Sequence, residues 1–179
     1  MNSFKITIEP DWLTSGYYLY VASIRYKNEQ YAYIGQTGDN NYHAARAPLY
    51  RIGGHFAKGV STENQIIKYF KVKVLEGEEL KPFELEQELK KSVLDYTFFK
   101  IDDYNPLDTK EKEHKNKRIF VQAIEHYIIH HLQNRDKITV LNAKVKNQYS
   151  ASKLAYYNNE IVSIEIKAIN ILKELGYEG

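Results

Sequence analysis

The chain contains no cysteine. Disulfides, thiolate nucleophiles and cysteine-containing zinc sites are therefore excluded, and any metal ion must be held by histidine or carboxylate. The segment Met1 to Asp11 lacks the basic and apolar pattern of a secretory leader, and no apolar run approaches the ~20 residues needed to span a bilayer. A cytoplasmic protein without a membrane partner is the expectation. Charge of one sign is scarce as well. The net is only +2 at pH 7, so the total does not announce a nucleic-acid binder and such a reading must rest on local clusters. No linker rich in proline, glycine or serine divides the 179 residues, and no repeat is visible. One domain spanning residues 1–179, large enough to bury a core, is expected.

What the chain does have is tyrosine, 16 in all. An apolar, aromatic and β-branched run from Tyr17 to Ile24 and a second from Tyr31 to Gly35, separated by the polar break Arg25 to Gln30, form a hairpin signature. Strand alternation sends Tyr18 and Tyr20 to one face of the first strand and Tyr17 and Leu19 to the other. Tyr31 and Tyr33 share a face of the second strand, so two or three phenols can converge. Phe4 to Ile8 alternates as a short edge strand would, and Trp12 reads as a packing residue. Pro48 fits the first position of a helix, Leu49 to Lys58, that sets Arg51 and His55 four apart on one face. Gly53 and Gly54 are awkward there, at ~1 kcal/mol each relative to alanine, and imply a bent helix or a close approach by backbone or phosphate.

Gln65 to Leu75 alternates and is expected to be the third strand, Pro82 to Tyr96 reads as a helix, and Asp102 to Arg118 as a polar loop. Arg118 to Leu132 is helical by period, with Glu125 inside an arc formed by Val121, Ile128, Ile129 and Leu132. A buried carboxylate there needs an arginine, a hydrogen-bond network or a metal ion. Ile161 to Leu175 is an amphipathic closing helix with Ile161, Ile164, Ala168, Ile171, Leu172 and Leu175 inward. The expected fold is α/β (α+β), a small, mainly antiparallel three-stranded sheet flanked by helices.

Gly16-Tyr17-Tyr18 and Tyr33-Ile34-Gly35 resemble the two tripeptides that name the GIY-YIG endonucleases. The second is a literal match; the first departs at its middle residue. The family then places an arginine on a following helix, a glutamate on a later one and often an asparagine near the module's end, and Arg51, Glu125 and Asn142 are the matching positions. The resemblance covers most of residues 16–142. The distances from Tyr18 to Tyr33 and from Tyr33 to Arg51 exceed those of compact members, which implies insertions in the hairpin loop and in Gln36 to Ala47. It also makes 76–117 an insertion and 143–179 a C-terminal helical extension.

The resemblance implies a DNA endonuclease dependent on Mg²⁺ or Mn²⁺. Tyr33 is implied as base or water-positioner, with Tyr18 orienting water or phosphate and Tyr20 in reserve. Arg51 would grip the phosphate, His55 would donate or shuttle protons, Glu125 would hold the metal, and Asn142 would fix the Glu125 end by hydrogen bonds. Arg51 and the metal are expected to lower the pKa of the tyrosine. The short chain and the Arg51-x-x-x-His55 spacing favour the restriction-enzyme branch over a repair or recombination nuclease, and a homodimer is the simple way to cut both strands. Arg46, Lys58, Lys115, Lys117, Arg118, Lys144 and Lys146 are the candidate DNA-binding cations. Each residue has a plainer reading: strand aromatics for the tyrosines, a surface pair for Arg51 and His55, an ion pair with Arg118 or Arg135 for Glu125, a turn or cap for Asn142. His126 and His130 have the spacing of a metal pair but no evident third ligand. The alternative function is a non-catalytic nucleic-acid-binding module.

Overall fold

The computed structural model describes residues 6–39, 44–56, 64–77, 79–107, 109–135, 138–143 and 160–177. The fold is α+β. Strand β1 (Gly16–Tyr26) and β2 (Glu29–Gln36) form the expected antiparallel hairpin. They are joined by a two-residue turn in which Lys27 and Asn28 both have positive φ, the left-handed geometry that matches strand twist. The hairpin therefore holds no insertion, contrary to the sequence expectation.

The remaining strands correct the sequence reading. Gln65–Lys73 is helix α2, following α1 (Pro48–Phe56), and not a strand. Its buried residues Ile66, Ile67 and Phe70 repeat at helical spacing, and the Asn64 side chain caps it by accepting the Ile66 N–H. The third strand is β3 (Val93–Asp103), beyond a short α3 (Pro82–Leu89) where a longer helix was expected. It pairs antiparallel with β1, with an irregularity between Tyr17 and Tyr18. Residues 76–117, read as an insertion, thus contribute an integral strand. A fourth strand, β4 (Thr139–Val140), runs parallel to β2, so the sheet is four-stranded and mixed, in the order β3-β1-β2-β4.

Helix α4 (Glu111–Gln133) starts earlier than expected, and α5 (Ile161–Glu174) packs against it. The two cover one face of the sheet, where Tyr17, Leu19, Val21 and Ile34 meet Val121, Ile124, Ile128, Ile164, Ala168 and Leu172. Ile161 and Leu175, also expected inward, are partly buried against this cluster. The other face carries Tyr20, Ala22, Ile24 and Tyr33 against Ile66, Ile67 and Phe70 of α2. Trp12, on a 3₁₀ turn (Pro10–Leu13), packs edge-on to Phe98, while Ile6 and Ile8 are exposed and form no strand. Among the described residues no helix is long and apolar enough to cross a membrane.

Candidate active site

Cross-strand register decides which tyrosines meet. Tyr20 lies opposite Gly35 and Ala22 opposite Tyr33, so Tyr20 and Tyr33 are diagonal neighbours on one face, with ring centroids 6.3 Å apart. The small Ala22 leaves room for the Tyr33 ring. The Tyr20 ring lies over the backbone of Gly35, where a Cβ would stand 2.3 Å from both Cζ and the hydroxyl oxygen of Tyr20. Glycine at that position is a steric requirement of the tyrosine opposite it.

Tyr20 is fully buried, and its hydroxyl is 2.8 Å from His55 Nε2 and accepts from Arg51 Nε at 3.3 Å. The direction of the histidine bond follows from its other side. Asn64 Oδ1 accepts the Ile66 N–H at 2.9 Å and lies 3.3 Å from His55 Nδ1, so Nδ1 carries the proton and Nε2 accepts from the phenol. Burial, then the Arg51 charge, lowers the His55 pKa from 6.5 to about 4, with Asn64 acting in the opposite direction. His55 is a neutral acceptor at neutral pH.

Arg51 is held protonated. Burial works against its cation, but Tyr20, then Tyr33 and Glu125, outweigh that and raise its pKa. The phenols behave against the sequence expectation. Burial raises the pKa of both Tyr33 and Tyr20, and the lowering by Arg51 does not compensate. Both are neutral phenols at ordinary pH, and Tyr33 slightly offsets the rise at Tyr20.

Tyr33 and Arg51, but not Tyr20 or His55, border a polar cavity of about 310 Å³ that Gly35, Thr37, Asp39, Gln122 and Glu125 also line. Glu125 is half-buried and lines the cavity, and its charge acts on Arg51, Tyr20 and Tyr33. A divalent hard cation fits this donor set in kind: the Glu125 carboxylate, a second carboxylate in Asp39 that is paired with Arg46, the Gln122 amide, and space for water. Among the described residues no group of three or more histidine or carboxylate side chains could hold a metal, so protein ligands alone would not complete its shell.

Tyr18 does not join the site. It shares the face of Tyr20, but its hydroxyl donates to the Thr14 carbonyl at 3.1 Å, and it lines a different cavity with Trp12 and Phe98. The reserve residue Tyr20 takes its place. Asn142 is also reassigned. Its Oδ1 accepts from Ile34 N and its Nδ2 donates to Ile34 O, both at 2.8 Å, so the amide continues the ladder that β4 began and fixes β2 between Tyr33 and Gly35. It does not serve the Glu125 end. Lys73, from the last turn of α2, donates to the carbonyls of Val140 and Asn142 and holds this segment in place.

The cationic candidates divide. Arg46 lines the cavity and bonds Asp39 at 2.6 Å. Arg118 packs its Cγ close to Gly38, which is also on the cavity wall. Lys115 is exposed on α4. Lys117 is engaged by Asp102 at 3.2 Å and Glu113 at 3.1 Å. Lys58, Lys144 and Lys146 lie outside the described residues. Gly53 and Gly54 are exposed with open space around them, in an unbroken helix. Sequence reasoning missed Asn64, whose capping position before α2 would have revealed it had that segment been read as a helix. It also missed Tyr96, which stacks on His55 with ring centroids 6.4 Å apart.

No protein-family model matches the chain, and no curated protein and no solved structure matches it.

Proposed function

We propose that the chain is a divalent-metal-dependent endonuclease that hydrolyses phosphodiester bonds in DNA, of the GIY-YIG type its tripeptides resemble and of restriction-enzyme character. The observation that carries the reading is that Tyr33, Arg51 and Glu125 line one polar cavity, while the buried Tyr20 hydroxyl links Arg51 to His55 behind it. Hydrolysis needs a water stripped of a proton, positive charge on the phosphate and relief of charge at the leaving oxygen.

Tyr33 is the phenol that faces the cavity. A proton taken from the attacking water by the Tyr33 oxygen displaces the Tyr33 proton to Tyr20, and the Tyr20 proton passes to the free Nε2 of His55. His55 becomes an imidazolium whose Nδ1–H stays on Asn64. The phenols thus work as neutral relays, which suits their raised pKa values. Arg51, beside the cavity, offers its remaining guanidinium donors to the phosphate. Glu125, with Gln122 beside it, would hold Mg²⁺ or Mn²⁺, which supplies charge neutralisation at the leaving oxygen when bound. Arg46 and Lys115 supply further positive charge for the DNA backbone. A homodimer gives two sites for two strands, and a cytoplasmic location fits a DNA substrate.

The test is cleavage of mixed plasmid and genomic DNA by wild type and Glu125→Gln, with Mg²⁺, with Mn²⁺ and with chelator. Discrete metal-dependent fragments absent from the variant are expected. DNA binding by both proteins with no cutting under any metal overturns the enzyme reading in favour of a binding module.

A further inference from the structure

A second cavity, of about 240 Å³, belongs to none of the steps above. It is lined by Asp11, Trp12, Tyr18, Pro48, Phe98 and Lys100. Three of these are aromatic, and they form a continuous set: Phe98 meets Trp12 edge-on at 5.9 Å and Tyr18 edge-on at 6.3 Å. The same Phe98 ring is 5.3 Å from Tyr20, centroid to centroid, so a single side chain separates this cavity from the relay phenol. Pro48 and Arg51 sit one turn apart on α1, which places the cavity wall and the phosphate-gripping arginine on one rigid element.

Three aromatic rings set edge-on to one another make up half of the lining, and Asp11 and Lys100 add a charge of each sign. Lys100 and Asp11 act on the Tyr18 hydroxyl from opposite electrostatic directions. Lys100 pairs with Asp103 in an exposed ion pair at 2.6 Å, and such a pair yields to a ligand at little cost. A planar guest with an aromatic face and a hydrogen-bonding edge fits this chemistry: the faces stack on the rings, and the edge finds a donor in Lys100 and an acceptor in Asp11.

Resting on the nuclease reading, we propose that this cavity receives one unpaired nucleobase of the bound DNA strand, turned out of its stack next to the phosphate that is cut. A base inside a duplex offers neither of its faces, so the occupant must be extrahelical. The cavity would then fix the position of the strand relative to Tyr33 and Arg51 by holding the nucleotide beside the scissile bond.

Trp12 is the only tryptophan of the chain, so its fluorescence reports on this wall without labelling. The experiment titrates Glu125→Gln protein with two duplexes of one sequence, one fully paired and one with an abasic site that leaves a single base without a partner. Fluorescence of Trp12 and anisotropy of labelled DNA are read together. The same titration with Phe98→Leu, and with deoxynucleoside monophosphates in place of DNA, supplies the controls. The expected result is quenching of Trp12 on DNA binding, tighter binding of the duplex with the orphan base, and loss of about tenfold of that preference in Phe98→Leu, in line with base–aromatic stacking. DNA binding that leaves Trp12 unchanged and shows no preference for the orphan base overturns the proposal, while wild-type cleavage in a parallel assay keeps the nuclease reading intact. Quenching by free monophosphates with no preference between the duplexes makes the cavity a nucleotide site and also overturns it.

Discussion

Strand β1 carries two tyrosine–histidine pairs, one on each face of the sheet, with the same 2.8 Å separation. On the α4 side the Tyr17 hydroxyl meets His114 Nδ1, and His114 Nε2 reaches the Asp39 carbonyl at 3.2 Å. On the α1 side Tyr20 meets His55, which is held from behind by Asn64. Each histidine therefore accepts from a phenol and donates to an oxygen. The surroundings differ. Tyr17 has its pKa raised by burial and then by Tyr104, Glu113 and Asp102, all of which oppose a phenolate. Tyr20 has Arg51 on its oxygen and a second phenol leading to an open cavity. A hydrogen-bonded phenol and imidazole is a structural strut by default. An adjacent cation and access to solvent turn the same pair into a candidate proton path.

The contrast breaks most visibly on removing each hydroxyl. Tyr20→Phe is expected to lower the cleavage rate by about 10²–10⁴-fold, the usual scale for losing a proton-transfer group. Tyr17→Phe is expected to leave the rate within a few fold and to cost on the order of 1 kcal/mol in urea unfolding. Equal loss of rate in the two variants would place the relay elsewhere.

Acid sharpens the comparison next. His55 titrates at about 4 in the folded chain and at 6.5 in the unfolded one. Between those values the unfolded state binds the extra proton, so the His55 contribution is fully present above pH 6.5 and is lost as pH falls through about 4. The loss amounts to a few kcal/mol over that window. Denaturation of wild type and His55→Gln at a series of pH values should show the difference between them shrinking with acid across it. The cleavage rate should likewise keep its acid limb well below the ordinary histidine range.

Glycine tests the geometry without touching a hydroxyl. Gly35→Ala places a methyl group against the Tyr20 ring and should cost about 1–3 kcal/mol of stability, with a fall in cleavage rate of about 10–10²-fold from displacing the phenol. Gly53→Ala, where a methyl meets open space, should stabilise α1 by about 0.5–1 kcal/mol and leave the rate unchanged. Asn142→Ala strips the Ile34 backbone of both partners. A loss of about 1–2 kcal/mol is expected from thermal unfolding, with the substrate affinity retained.

The hairpin was legible in the sequence because alternation, β-branching and aromatic content agree over both runs. Alternation fixes a side chain's face and leaves its position along the strand open, so Tyr18 and Tyr20 were indistinguishable until the register set Tyr20 against Gly35. Helix α2 was misread because Ile67, Tyr69, Phe70 and Val72 satisfy a period of two as well as one of 3.6 over so short a span. Strand β3 was missed for the opposite reason. It is an edge strand with alternate residues exposed, and its polar positions merged with the Glu- and Lys-rich helix before it. Arg51, His55 and Glu125 were placed correctly on helices because amphipathic spacing is robust over several turns. The role of Asn142 was not legible, since a side chain standing in for a β-ladder depends on where β4 stops.

The two-residue turn at Lys27 and Asn28 bears on the order in which the molecule assembles. Contacts that close the shortest loops form first, and a hairpin needs only about 1–10 μs. The pairing of Tyr20 with Gly35, and of Ala22 with Tyr33, is set by this turn alone. Strands β3 and β4 return from much farther along the chain and dock on a hairpin whose register is already chosen. The alignment of the two relay phenols is thus an early, local event, while the histidine and glutamate that complete the site arrive with the later, long-range contacts.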